Sequence, residues 1–282
     1  SVKVRMSGDH REIQVKTLAE LPVESFVVIE LLTGNFTDHT SDIRDRITDA
    51  EVLRLSGLKS LKVVELVGDV SAPSLVKLAH HPGLESLFFN AENLQNENLR
   101  HFGGSPLKRL RLYRMPSAHP SALSGLATMP NLRELQFVEI PNSSLVSGLP
   151  GLPQLTSFRA TRCDSLTDID LPLLVERFPN LLLLDLDSCS NLKGASLEIL
   201  AKMVTLRTLG LSQSQVDNAT LANLSNHPTL ERLVLNQTRI SEVSLPVLKS
   251  VPSLKELEIA HTEFTDAGLA ELASLPTLKL LL

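Results

Sequence analysis

The chain has no tryptophan, one tyrosine and only 4% aromatic residues. Large rings cannot build its core, so aliphatic side chains must, and 43% of the residues are hydrophobic. Cysteine is almost as scarce: Cys163 and Cys189 are the two present. Two thiols without a matching histidine pattern make no zinc site. Positive charge is not in excess, since 27 Lys and Arg face 32 Asp and Glu for a net charge of −5. That balance argues against broad binding to nucleic acid or to an anionic membrane. No apolar run approaches the roughly 20 residues of a membrane-spanning helix. The Gly-rich phosphate-binding patterns and the G-x-S-x-G nucleophile elbow do not occur. His81 and His227 each precede a proline and His261 falls at an expected strand end. None of them keeps a Ser, Cys or carboxylate at a recurring catalytic spacing. The expectation is a protein that is not an enzyme, with no cofactor and no metal. The chain opens at Ser1 without a recognisable leader, which leaves the compartment open.

Leucine, by contrast, is everywhere, and it is periodic. Asn180-Leu-Leu-Leu-Leu-Asp-Leu-Asp-Ser-Cys189 reads as Leu181-x-x-Leu184-x-Leu186-x-x-Cys189. The same phrase starts at Leu61, Leu84, Leu107, Leu132, Leu155, Leu181, Leu206, Leu230, Leu254 and Leu278, in steps of 23 to 26 residues by subtraction. Counting each of these leucines as position 1, positions 4 and 6 are apolar in nearly every copy. That period of two predicts a short strand with one buried face. The second half of each copy changes period. Leu197/Leu200, Leu221/Leu224, Leu245/Leu248 and Leu269/Leu272 lie three apart, as one helical face requires. Asp217, Ser241 and Asp266 stand where a short oxygen side chain can cap free amides. Pro82, Pro130, Pro153, Pro179, Pro228, Pro252 and Pro276 each come two residues before a position 1 and reset the chain for the next strand.

A unit of strand, turn and short helix cannot bury its own leucines, but stacked copies share one continuous core. These blocks, together with Thr262-Glu-Phe-Thr-Asp-Ala-Gly-Leu-Ala-Glu-Leu272, resemble the leucine-rich repeat family. The likeness is to its helix-convex subclass, close to the bacterial and cysteine-containing types. It implies an α/β fold, a right-handed solenoid or horseshoe of about 11–12 repeats. Its parallel sheet would line the concave side and its short helices the convex side. It further implies a recognition role without naming the ligand; a protein partner is the first expectation, because an extended curved surface suits one.

Residues 61–282 are read as regular repeats and residues 1–60 as atypical capping repeats. The alternation Val2-x-Val4-x-Met6 predicts a strand. Residues 13–21 carry Leu18 and Leu21 at helical spacing, and Phe26-x-x-Ile29-x-Leu31 is another repeat start. Residues 34–46 form an irregular loop whose Asp38, His39, Asp42 and Asp45 fit no known metal-binding spacing and are read as solvated. Ile47 to Leu53 restores the helical half. Leu278-Lys-Leu-Leu-Leu282 ends on a strand, so either further chain follows or another subunit covers it by self-association.

Cys163 and Cys189 share position 9 with Thr238 and Thr262, the slot where the strand turns outward, and are expected there as buried free thiols. Positions 3, 5, 7 and 8 face away from the core. They carry Phe88, Asn90, Arg109, Arg111, Tyr113, Arg114, Gln136, Arg159, Arg162, Asp185 and Asp187. Arg and Tyr are frequent interface anchors, so Phe88, Arg111, Tyr113 and Arg159 are the expected centre of a partner-binding patch. The alternative is a charge ladder in which Arg111 neutralises Glu134, Arg162 neutralises Glu139 and Arg159 neutralises Asp185. A carbohydrate or cell-envelope ligand is a further alternative, thin on a face with one Tyr. Sequons at Asn35, Asn142, Asn218, Asn223 and Asn236 are read as turn residues.

Overall fold

The structure, a computed structural model, describes residues 2–6, 12–15, 28–33, 49–58, 61–66, 70–91, 98–115, 120–141 and 145–282. The loop at 34–46, with Asp38, His39, Asp42 and Asp45, lies outside these residues, as do Asn35 and Asn142. The chain divides into two units, Ser1–Arg133 and Glu134–Leu282.

In the first unit the order is β1 (Val2–Met6), β2 (Glu12–Val15), β3 (Val28–Thr33), α1 (Asp49–Leu55), β4 (Val63–Leu66), α2 (Ala72–Ala79), β5 (Ser86–Asn90) and β6 (Arg109–Tyr113). β3, β4, β5 and β6 pair in parallel, each with the next, as period-two strands joined by helical crossovers do. β1 instead pairs antiparallel with both β2 and β3. The alternation of Val2, Val4 and Met6 foretold the strand but carries no information about its direction. Residues 12–15 form a strand, not the start of a helical segment. Such a hairpin covers a sheet edge, and capping is the role we propose for residues 1–33.

The second unit repeats one motif through β7 (Glu134–Val138), α3 (Leu145–Gly148), β8 (Ser157–Thr161), α4 (Leu171–Arg177), β9 (Leu183–Asp185), β10 (Thr208–Gly210), α5 (Asn218–Leu221), β11 (Arg232–Val234), α6 (Leu245–Ser250), β12 (Glu256–Glu258), α7 (Asp266–Ala273) and β13 (Leu280–Leu281). β7 to β13 pair in sequence order, all parallel and in register. Position 4 of each strand therefore stacks on position 4 of the next: Leu135, Phe158, Leu184, Leu209, Leu233, Leu257. All six are at most 1% exposed. Phe158 meets Phe137 edge-on at 6.0 Å and Phe178 at 5.2 Å between centroids, so three of the few rings share one spot in the core.

The three-residue leucine spacing has a second solution besides the α-helix. Leu197–Lys202 is a 3₁₀ helix. In that tighter helix residues i and i+3 eclipse, so Leu197 and Leu200 point the same way without an i+4 partner. Asp217 caps α5 as expected, its Oδ1 accepting the Thr220 N–H at 2.9 Å. Asp266 does not cap. It is the first residue of α7 after Thr265, where its charge suits the positive end of the helix dipole.

Side chains also tie one repeat to the next. Before the helices, Asn218 Oδ1 accepts the Ser241 N–H at 2.9 Å, and in the first unit Asp49 Oδ1 accepts the Ser71 N–H at 2.8 Å. After the prolines, Asn180 donates to the Pro153 carbonyl at 2.8 Å, Thr229 to Leu206 at 2.8 Å and Ser253 to Pro228 at 3.1 Å. Each bond satisfies a backbone group that a short helix or turn leaves open. The Asn218 and Asn236 side-chain amides donate to Ser241 Oγ and Glu258 Oε2, each at 3.0 Å.

In the second unit position 9 is a column, buried from Ile140 to Thr238 and half-buried at Thr262. Ser214, Thr238 and Thr262 each donate to the carbonyl three residues back at 2.7 Å. Cys163 and Cys189 fill the same slot as free thiols, both 0% exposed. Burial pushes the Cys163 thiol up to about 12 and raises that of Cys189 as well, because a buried thiolate loses its hydration. Neither is therefore nucleophilic near neutral pH. In the folded chain Ellman's reagent should titrate no thiol over an hour, and two in denaturant. Rapid native labelling of either cysteine would contradict the buried column.

Candidate functional site on the open sheet face

The strand pattern leaves one face of each sheet outward. In β8, β9, β11 and β12 of the second unit the odd positions are half-buried or exposed while the even ones are buried. Neighbouring outward side chains stand one strand spacing apart, about 4.8 Å. Lateral pairs can therefore interact directly.

Of the sequence-derived candidates, Phe88, Asn90, Arg109, Arg111, Tyr113 and Arg114 lie in the first unit. Phe88 is in register with Arg111 and Asn90 with Tyr113. Arg109 Nε donates to the buried Ser86 Oγ at 2.6 Å. Tyr113 does not project as an anchor: it is 8% exposed. Val138, at the same position of the next repeat, is equally buried at 7%. Arg114 lays its guanidinium over the Tyr113 ring, 5.0 Å from the centroid, and so roofs it. Phe88, Arg111 and Arg159, grouped by sequence, belong to two different units.

Gln136, Arg159, Arg162, Asp185 and Asp187 lie in the second unit. Gln136 is in register with Arg159, and Arg159 with Asp185. Two of the ladder pairs form: Arg159 to Asp185 Oδ2 at 3.0 Å and Arg162 to Glu139 at 3.1 Å. Half-exposed pairs of this kind contribute about 0–1 kcal/mol each.

Position 8 has a conformation that nothing in its residue types announces. Arg114, Glu139, Arg162, Ser188, Gln213, Gln237 and His261 all have φ between +47° and +60°. A left-handed non-glycine residue costs on the order of 1 kcal/mol. The cost is offset because the turn keeps position 8 in the parallel ladder. Ser188, Gln213 and Gln237 donate their N–H to the carbonyls of Ser212, Asn236 and Ala260 at 2.7, 2.9 and 2.8 Å. Their side chains form a second ladder, Ser188 to Gln213 at 2.6 Å and Gln213 to Gln237 at 2.9 Å.

The most individual place on this face is around Gly210, which sequence reasoning passed over. Gly210 is position 5 of β10, flanked in register by Asp185 and Val234. A methyl group placed on Gly210 would lie 2.9 Å from Asp187 Oδ1 and 3.1 Å from Asp185 Oδ1. Two carboxylates therefore lean over a floor with no side chain. Both are held by backbone amides: Asp185 Oδ1 accepts the Asp187 N–H at 3.1 Å, and Asp187 Oδ1 accepts the Ser212 N–H at 2.7 Å. Glu258, two strands on from Gly210, pairs with Arg232 and accepts from Asn236 at 3.0 Å. Burial first, then the charges of Asp185 and Glu258, push the Asp187 carboxyl up to about 6, against the opposing pull of the Ser212 amide. A glycine where the other strands carry side chains was the available signal. It acquires meaning only beside two acidic neighbours that the register supplies.

No family model matches the chain and no curated protein matches it. Solved structures resemble it. One, from the crystal structure of a TLR13–ssRNA13 complex, is 19% identical with a TM-score of 0.52, covering 79% of this chain and 33% of that one. Another, from the mouse RP105/MD-1 complex, is 21% identical with a TM-score of 0.50, covering 79% of this chain and 46% of that one. A third, from the Rad7 and Elc1 complex of yeast, is 16% identical with a TM-score of 0.57, covering 84% of this chain and 68% of that one. The chain spans about a third of the first and less than half of the second. Among the described residues no helix is long and apolar enough to cross a membrane. The repeat in the sequence, the parallel ladders it builds and these likenesses agree that the chain has the leucine-rich-repeat fold, an α/β solenoid.

Proposed function

We propose that this chain is a non-catalytic protein-binding module, and that its working surface is the outward sheet face of the second unit. The observation that carries this is the face itself: a continuous run of parallel strands, β7 to β13, most of whose outward residues are half-buried or exposed while positions 4 and 6 of β7 to β12 close the core behind them. Extended faces of this kind suit a protein or peptide partner. The acidic set Asp185, Asp187 and Glu258 disfavours a polyanion, so nucleic acid, present in one of the neighbours' complexes, is not the expected ligand here. A sugar is disfavoured by the shortage of rings, since Tyr113, the one tyrosine, is packed away.

The test is a blocking substitution. Val234, half-buried on the sheet face, is replaced by Trp, and Lys202, exposed on the helical side, is replaced by Trp as the control. Proteins captured from source cells on the wild-type chain should be retained by Lys202→Trp. They should bind Val234→Trp at least about tenfold more weakly, the effect of blocking an interface centre. A captured partner that binds Val234→Trp as tightly as the wild type places the working surface elsewhere.

A further inference from the structure

Behind the sheet, the helical halves of the repeats beginning at Leu181 and Leu206 meet along a seam. One half is the 3₁₀ helix Leu197–Lys202; the other is α5 followed by the 3₁₀ turn Ala222–Leu224. On the strand side the same two repeats share a backbone ladder, with Leu183, Leu184 and Asp185 of β9 against Thr208, Leu209 and Gly210 of β10. On the helical side two polar side chains reach across. Asn223 lies 3.4 Å from the Gly194 carbonyl, beyond the usual range of such a bond. His227 Nε2 lies 3.1 Å from the Leu200 carbonyl. A carbonyl can only accept, so Nε2 carries the hydrogen and Nδ1 a lone pair. His227 is 1% exposed, on a seam whose Leu197, Leu200, Met203, Leu221 and Leu224 are all at most 1% exposed. Its Nδ1 is buried and makes no hydrogen bond with any described residue. The slot does not dictate this. His81 also stands before a proline and is 4% exposed, yet its Nδ1 accepts the Gly83 N–H at 3.2 Å.

We propose that His227 is an acid-sensitive latch: when its ring takes up a proton, the helical halves of these two repeats part while β9 and β10 stay paired. The proton goes to Nδ1, and the ring becomes a cation with a second N–H. A buried cation has to be paired or hydrated. The charged side chains on the surrounding elements are Glu198 and Lys202 of the 3₁₀ helix, Arg207 and Glu231 at the entries to β10 and β11, Asp217 ahead of α5 and Lys249 of α6. All six are exposed or half-buried, and none contributes to the titration of His227. Burial disfavours the charged ring, and the Leu200 carbonyl, at the negative end of its helix, only partly opposes that. The new N–H is therefore best satisfied where the seam has opened to solvent. The strand side holds because its ladder joins backbone groups, which do not titrate. Above pH 6.5, the free-histidine value, the ring is neutral whether the seam is open or closed. As pH falls below it, the open seam binds the proton first and gains population.

The experiment is amide hydrogen exchange on the intact chain at about pH 7.5 and about pH 5, read as protection factors so that the intrinsic pH dependence of exchange cancels. The seam reporters are the Met203 amide, bonded to the Leu200 carbonyl at 2.8 Å, and the His227 amide, bonded to the Leu224 carbonyl at 3.2 Å. The strand reporter is the Leu186 amide, bonded to the Gly210 carbonyl at 2.9 Å. At pH 5 a free imidazole is protonated about thirty times more often than it is neutral. The seam amides should therefore lose between about fivefold and thirtyfold in protection, while Leu186 keeps its own. His227→Gln, whose amide can still donate to Leu200 but takes up no proton, should match the wild type at pH 7.5 and lose nothing at pH 5. Equal loss in both proteins, or no loss in either, would overturn the latch. A loss shared by Leu186 would overturn it too, since that is unfolding of the strands as well. If glutamine loosens the seam already at pH 7.5, the wild type decides alone. Its loss must set in near pH 6.5 and level off where the His227 ring titrates by NMR, and a loss that runs on past that pH overturns the proposal.

Discussion

Replacing Phe158 by alanine should cost about 3–5 kcal/mol of stability, the range for deleting a buried ring. Phe158 is 0% exposed and lies between Phe137 and Phe178, with centroids 6.0 and 5.2 Å away. The cost has two parts. Transfer of the ring out of water is lost, and a cavity remains that β7 and β9 cannot close, because both are pinned to β8 by in-register backbone bonds. Each ring contact adds about 0.5–1.5 kcal/mol beyond the area it buries. In a stacked fold the damage also weakens the coupling between neighbouring repeats. Urea denaturation should show a lower midpoint and a broader or split transition. A loss below about 1 kcal/mol with an unchanged slope would mean that the ring is not packed as described.

The four consecutive leucines at 181–184 test the register in the same way and show how much of the fold could be read in the chain. Leu181 and Leu184 are 0% exposed, Leu182 is 43% exposed and Leu183 is half-buried. Composition treats these residues alike; only the phase of the repeat separates them. That phase is legible because ten copies repeat it, and it located the strands, the helical halves and the position 9 column. Less legible was whatever depends on neighbours distant in sequence. The left-handed turn at position 8 is built from Arg, Glu, Ser, Gln and His, residues with no strong claim to that conformation. Its support comes from carbonyls one repeat away. Tyr113 looked like an anchor by residue type, yet it is buried and roofed by Arg114. The bare position at Gly210 is an absence, and it becomes a feature only when the carboxylates of β9 are packed over it in register. The antiparallel sense of β1 likewise had no signature in alternation alone.

Asp187→Asn should stabilise the chain at neutral pH, by about 1 kcal/mol once solvent screening is allowed for. Burial and the nearby charges of Asp185 and Glu258 raise the Asp187 carboxyl from 3.8 to about 6. The native state therefore prefers the protonated group more than the unfolded state does. Below pH 3.8 both states are protonated and the group costs nothing. Between about pH 4 and pH 6 the unfolded chain ionises first and the native state loses ground. Above pH 6 both are ionised and the full penalty persists. Asparagine keeps an oxygen for the Ser212 amide, which Asp187 now satisfies at 2.7 Å, but brings no charge. The variant should match the wild type near pH 3.5 and exceed it from pH 6 upward. His227 acts in the opposite direction. Burial lowers its pKa, so it subtracts stability as pH falls below about 6.5, the value of a free histidine. It does so equally in both proteins, and the difference between their urea midpoints isolates Asp187. A variant no more stable than the wild type at pH 7 would show that Asp187 is not strained. A gain at pH 7 would show a carboxylate kept against stability. A charge that costs the fold marks a position held by something other than stability.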